Sequence, residues 1–402
     1  MEQVVVGPPG SQDRVHSSVP LSPETNPTDG SSEDIIRATS ARLYSRTKMW
    51  LEIVGTALFF ALTLVFVVSG LSKDLEEYVR RFVSNDYLAL LSFVLIVGIV
   101  ETVLTSPLSY YSGFYLEHKY HLSNQSLFAW IREGLKGMIV SVPLALPILL
   151  FFFYCLKNFG MLWWLPVSAA LFLVTVILAR LAPVLIFPLF YKFEPLNEGS
   201  MKEKILTLCA RVGVHVAGIF TFNLSKNTKK ANAAFTGIGK SKRIILGDTL
   251  VQNFTDDEVE TVFAHELGHY KMKHVWMMML IGTLNSFLGL YFTAQLYAVS
   301  LSWLGFAAPD QIGALPLLTL WLGVYSLVSS PISNHVSRIN EYSADRYAIQ
   351  ITSNKDAFIN ALRKLARINL AETSPPAIVE FLFHSHPSIE KRVRAIESLT
   401  LG

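Results

Sequence analysis

The chain has 402 residues, 51% of them hydrophobic and only 16% charged. Soluble domains carry about 25% charged residues, so this balance tells against an ordinary soluble protein and for a membrane protein. A formal net charge of +3 is too small to argue for nucleic acid, and two cysteines, Cys155 and Cys209, make no disulfide framework.

Residues 1–34 are rich in Pro, Ser, Gly and acids and poor in large apolar groups, which predicts a disordered tail. The tail lacks the apolar segment of a signal peptide. From Ser32 onward the pattern predicts a helix leading toward the membrane. Six apolar stretches then approach the roughly 20 residues needed to span. They lie near 50–70, 87–106, 138–156, 161–181, 276–300 and 312–332. The short "LKNFG" between the third and fourth predicts a tight helical hairpin. Pro316 and Pro331 stand near the two ends of the sixth. Cys155 lies in an apolar run and reads as a small buried residue. Glu101 and Arg180 are charges within spans; Glu101 lines a cavity or sits at the interface, and Arg180 snorkels.

The expected organisation is mainly α: a polytopic membrane helical protein with an α+β domain outside the spans. A four-span membrane domain covers 35–181. The first part of that α+β domain covers 182–275, two further spans cover 276–332, and its C-terminal part covers 333–402. Six spans put both termini on one side. Arg37, Arg42, Arg46 and Lys48 precede the first span, and Lys119, Arg132 and Lys136 lie between the second and third. The opposite side has Lys157 alone in its middle loop and no Lys or Arg between 301 and 311. Lys73, Arg80 and Arg81 in the first loop disagree. On balance the positive residues place the termini and the 182–275 and 333–402 segments on the cytoplasmic side.

Within 182–275, "VAGIFTFNLS" and "SKRIILGDTL" read as strands by their β-branched and aromatic content. Gly237 and Gly239 between them mark the turn of a hairpin, which by pattern alone is an ordinary surface hairpin. Ala231, Ala233 and Ala234 are small enough for a peptide backbone to approach, so the 230–237 segment is expected to take substrate as an added strand.

"TVFAHELGHYKMKH" follows, at 261–274. Thr255 with Asp256, Asp257 and Glu258 is a helix start. On that helix His265 and His269 stack on one face, with Cβ atoms roughly 5–6 Å apart. Two imidazoles so placed can share one zinc ion. Glu266, one position round, is left to take a proton from a water that the metal has acidified. His274 is rotated off that face. A longer motif would need its third histidine at Val275, so the third ligand comes from elsewhere.

Glu341 in "SRINEYSADRYAIQ" is the candidate third ligand, with Asp345 one helical turn on. A metal-bound histidine usually donates its other N–H to a carboxylate or carbonyl, a part that suits Asp345. The competing reading is a pair of surface acids in salt bridges with Arg338 and Arg346. Near the C-terminus, "FLFHSHPSIEKRVRAI" places His384 and His386 before a basic helix. A histidine near zinc can donate to the oxyanion of a tetrahedral intermediate.

Together these pieces resemble the type I CAAX prenyl endopeptidase family, integral-membrane zinc metallopeptidases with a large intramembrane chamber. The likeness runs from about residue 87 to the C-terminus. "FPLFYKFEPLNEG", "NAAFTG", "SKRIILGDTL", "HELGHYKMKH", "EYSAD" and "SHPS" occur in the family's order. The resemblance implies that the α+β domain is a zincin-like catalytic domain on the cytoplasmic side, with one Zn2+ per chain held by His265, His269 and Glu341 and Glu266 as catalytic base. It implies that Asp345 orients a ligand histidine and that Asn232 and His386 line the cleft near the reacting carbonyl. Arg392 falls at a family arginine that supports this region. The implied partners are membrane lipids and a peptide or protein substrate, lipidated or not. Departures fall on the substrate side. The first of the seven spans of eukaryotic members is replaced by the tail, and an acidic insertion before the zinc helix is absent. Lys230-Ala231 stand for His-Ser, Ala234 for an aromatic, and Phe383 for an additional histidine. The competing functions are a general quality-control membrane protease and a non-catalytic membrane protein with a structural zinc. An intact Glu266 and only three protein ligands argue against the last.

Overall fold

Six helices of the structure, a computed structural model describing residues 29–236 and 243–400, are long and apolar enough to cross a membrane. They stand where hydropathy placed them. The expected tail lies outside the described residues as far as residue 28, as does the turn at Gly237 and Gly239. Helix α1 (Asp29–Val68) starts a few residues ahead of Ser32 and carries the first span. After the short α2 (Leu71–Arg80), α3 (Asp86–Tyr110) continues through a π turn into α4 (Leu116–Lys119). The predicted hairpin is present. In it α5 (Leu127–Phe159) reverses at Gly160, which takes the left-handed φ of 52°, into α6 (Trp164–Leu181) and then, through a second π turn, α7 (Phe187–Phe190). Cys155 is fully buried, packed with Leu90, Phe93, Phe153, Trp163 and Tyr297 where the spans meet. Glu101 lines a cavity of about 280 Å³ between α1 and α3.

The positive charge in the first loop has a structural use. Lys73 Nζ on α2 donates to the carbonyls of Leu304 (2.7 Å) and Gly305 (2.9 Å), and Gly313 N–H donates to Glu76 at 2.8 Å. The first and last loops are thereby stapled together, as an alternating six-span path requires.

The catalytic block starts with β1 (Phe193–Pro195), α8 (Ser200–Arg211), β2 (Gly218–Phe222), β3 (Ala233–Thr236) and β4 (Arg243–Gly247). The sheet order is β1-β2-β4-β3, with β2 and β4 parallel and the other two pairs antiparallel. The two predicted strands are therefore parallel neighbours, and the hairpin joins β3 to β4. Along β4 the period of two is clear: Ile244 and Leu246 face the core under the helices, while Ile245 faces Phe222 and Leu224 on the other side.

Next come α9 (Asp248–Asn253), α10 (Asp256–Lys271) and α11 (His274–Trp303), followed by α12 (Leu315–Thr352), α13 (Lys355–Asn369), α14 (Ala377–Phe383) and α15 (Ile389–Glu397). Pro331 does not end the sixth span. Helix α12 runs through it for 38 residues, roughly 57 Å at 1.5 Å per residue. That is well beyond the ~30 Å hydrocarbon thickness, so one continuous helix leaves the bilayer and enters the catalytic block. The boundary expected at 332/333 falls inside it.

Candidate active site

Helix α10 starts on a reciprocal cap. Thr255 Oγ1 accepts from Glu258 N–H at 3.3 Å, and Glu258 Oε2 accepts from Thr255 N–H at 2.9 Å. Val259, Val262, Phe263 and Leu267 bury one face against α8, α13 and the sheet. The other face meets α12, and Gly268 sets how closely. A Cβ there would stand 3.2 Å from Ala344 Cα and 3.3 Å from Ala344 O. No side chain separates the two backbones, so the residues three before and one after the contact face each other: His265 and His269 on α10, Glu341 and Asp345 on α12.

The donor atoms converge. His265 Nε2 and His269 Nε2 are 3.1 Å apart. Glu341 Oε1 lies 3.2 Å from His269 Nε2, and Oε2 lies 3.4 Å from His265 Nε2. Ligands held at about 2.0–2.2 Å around one tetrahedral ion stand roughly 3.3–3.5 Å from one another. Glu341 Oε2 is buried and has no hydrogen-bond partner, only ion-pair neighbours at 3.4 Å. An orphaned buried acceptor costs about 1–3 kcal/mol, and a cation between the three residues would relieve it. The donor set therefore fits a divalent metal.

Around this centre the contacts are directional. His265 Nδ1 meets Asp345 Oδ1 at 2.9 Å. Arg392, on α15, donates to both Asp345 oxygens, from Nε at 2.9 Å and from Nη2 at 2.5 Å. Its Nη1 lies 3.4 Å from Glu341 Oε2. Burial opposes the Arg392 charge, but Asp345, and then Glu341 and Glu266, outweigh it and hold its pKa above the usual value. Burial likewise opposes the charged form of His265, yet its bonds to Asp345 and Glu341 raise its pKa to about 9. The same negative surroundings favour a bound cation.

The remaining sequence candidates are placed unequally. His386 Nε2 lies 3.4 Å from Glu341 Oε1 with its side chain 63% exposed, at the open side of the centre. Its Nδ1 is 3.0 Å from Ser385 Oγ. Glu266 is half-buried. Asn232 immediately precedes β3, its carbonyl accepting from Gly247 N–H at 2.8 Å. Its side chain is exposed, and no described contact joins it to the histidines. Glu341 and Asp345 are 4% and 2% exposed, so they are not the surface acids of the competing reading. Arg338 makes no helix salt bridge either. Its Nη1 donates to the carbonyls of Glu380 (3.0 Å) and His384 (2.6 Å), fastening the loop that carries His386 to α12.

Sequence reasoning passed over that Arg338 contact and one more. His274 is not among the converging ligands, but its Nδ1 lies 3.1 Å from His269 Nδ1. The signal was the five-residue spacing followed by a new helix. Between α10 and α11, Lys273 takes a left-handed φ of 59°, and this turn swings His274 back toward the site.

A His-His-Glu centre on helices that run directly into membrane spans defines a membrane metallopeptidase. The chain belongs to peptidase family M48, whose sequence profile matches residues 195–400. A profile described as the CAAX prenyl protease N-terminal region, with five membrane helices, matches residues 33–192. The likeness expected from about residue 87 thus reaches back through the first span. Relatives include the uncharacterized metalloprotease YhfN of Bacillus subtilis, 32% identical over 89% of this chain and 84% of the relative. CAAX prenyl protease 1 of Saccharomyces cerevisiae is 30% identical over 89% of this chain and 85% of its own length. The crystal structure of S. mikatae Ste24p superposes with a TM-score of 0.80 at 29% identity, covering 90% of this chain and 89% of that one.

Proposed function

We propose that this chain is a zinc endopeptidase that cuts peptide bonds of lipidated, membrane-associated substrates at the cytoplasmic face. The observation that carries the reading is the convergence of His265, His269 and Glu341 donor atoms, all within 4.8 Å of one another, beside an open face bearing His386. Two imidazoles, one carboxylate and an open side suit catalytic zinc. Zinc bound there supplies Lewis acidity, polarising a carbonyl and lowering the pKa of a bound water to about 7. The chain's own groups do the rest. Asp345, held by Arg392, takes the Nδ1–H of His265 and keeps that ring's Nε2 free as a ligand. Glu266 takes a proton from the attacking water and returns it to the leaving amine. His386 donates to the oxyanion that forms on the substrate carbonyl, and Asn232 reaches the same carbonyl from the strand side.

The names of the yeast and other relatives as CAAX prenyl proteases support a prenylated substrate. Purified protein given a peptide in prenylated and unprenylated forms should cut the prenylated one faster, as read by mass spectrometry of the products. Equal cutting of both would replace this substrate with the broader one of a general membrane protease.

Substrate pairing has a defined register. β3 ends the sheet, and its second edge is unpaired among the described residues. Asn232 O accepts from Gly247 N–H, and Ala233 stands opposite Leu246. Antiparallel pairs alternate between hydrogen-bonded and not, so Ala234 N–H bonds toward β4 while Ala233 N–H points to the free edge. Proline removes the N–H. Ala233→Pro should keep thermal stability and zinc yet lose cleavage sharply, whereas Ala234→Pro should lower the melting temperature. A fully active Ala233→Pro protein would mean that substrate does not add to β3.

The positive residues support cytoplasmic termini and a cytoplasmic active site. Both native cysteines are buried, so Gln3→Cys and Thr400→Cys can be labelled against a low background. Both should react only with reagent that reaches the cytoplasm, and labelling from opposite sides would sink the topology.

A further inference from the structure

We infer that His274 is a positioning residue for the metal centre, accepting a hydrogen bond at its Nδ1 from the Nδ1–H of His269. The inference rests on the zinc reading above and extends it to a residue outside the ligand set.

The geometry leaves little choice of roles. The Nε2 of His269 faces the centre, 3.1 Å from His265 Nε2 and 3.2 Å from Glu341 Oε1. Its Nδ1 faces away, 3.1 Å from His274 Nδ1. Two ring nitrogens at that separation share one proton, and one of them must donate it. A ligand histidine offers the Nε2 lone pair to the metal, so its proton sits on Nδ1. His269 is therefore the donor and His274 the acceptor, with the His274 proton on Nε2. The rings meet edge to face, with centroids 5.2 Å apart and planes at 72°. His274 is 7% exposed, so water competes poorly for this contact.

The two ligand histidines are thus oriented by unlike partners. His265 gives its outer N–H to a carboxylate, Asp345, which Arg392 neutralises. His269 gives its own to a neutral imidazole, which fixes the ring without adding negative charge. The acceptor is also the first residue of α11, the helix that re-enters the membrane. One ligand is therefore braced by a membrane span, as Glu341 is by its place on α12.

The test compares two residues of nearly equal shape. Asn offers an Oδ1 acceptor where His274 has Nδ1, and Leu offers none. Full-length protein in detergent is loaded with zinc, and release into excess chelator is timed beside melting temperature and kcat/KM. Loss of an outer partner typically costs about 10–100-fold in metal affinity or activity. His274→Leu should release zinc faster and lose kcat/KM by factors of that order, and His274→Asn should recover most of both. His274→Ala supplies the acceptor-free arm should the Leu variant not fold. The inference is overturned if the acceptor-free protein releases zinc as slowly as wild type, or if His274→Asn falls as far as His274→Leu, which would mark a packing role. A wild-type protein that holds no zinc would instead overturn the zinc reading itself.

Discussion

Glu266→Gln is expected to fold and to hold zinc like the wild type while losing cleavage by about 10²–10⁴-fold, the usual worth of general-base catalysis. The amide matches the carboxylate in shape, so the packing of α10 against α12 at Gly268 is unchanged. None of the converging donor atoms belongs to Glu266. Arg392 keeps its two bonds to Asp345, so the support of His265 survives. What disappears is a base able to take a proton from water, since a neutral amide cannot. The loss should fall on kcat, because the step affected is chemical. Single-turnover cleavage at saturating peptide would show it, and near-normal turnover would remove Glu266 from the role of base.

Glu341→Ala should strike the metal itself. The substitution removes the carboxylate that lies between both imidazoles, Arg392 Nη1 and His386 Nε2. Two neutral imidazoles and a water remain, beside an arginine whose charge repels a dication. The loss of zinc affinity should exceed the roughly 10–100-fold typical of an outer partner, and cleavage should vanish with it. The fold should survive in outline. Asp345 still pairs with Arg392 and His265, and Arg338 still fastens the 380–384 segment. A loss of cleavage with global unfolding would be a different result, and a melting curve separates the two.

Local spacing carried much of this site. His265 with His269, and Glu341 with Asp345, are each one helical turn apart, and the face each pair shares follows from helix geometry alone. The six spans followed from hydropathy, because lipid-facing helices are apolar most of the way round. Other features rest on contacts that no spacing rule describes. Arg338 sits one turn before Glu341 and two before Asp345 yet binds backbone carbonyls 42 and 46 residues away. Pro331 stands near the end of the sixth apolar stretch, but α12 continues through it, and that continuity carries Glu341 out of the membrane to α10. Counting rotation along one helix set His274 apart from the ligands, and it is not one of them. The count did not reveal its contact with His269, which arises because the helix stops at Lys271 and turns through Lys273. The edge position of β3 was expected from its small residues. Which of its N–H groups is free followed only from the bond between Gly247 and Asn232.

The most direct test of the centre is elemental analysis of purified full-length protein, wild type beside Glu341→Ala. Wild type should carry one zinc per chain, and the variant far less after the same washing. Equal zinc in both proteins would contradict the assignment of Glu341 and, with it, the centre formed where α10 crosses α12.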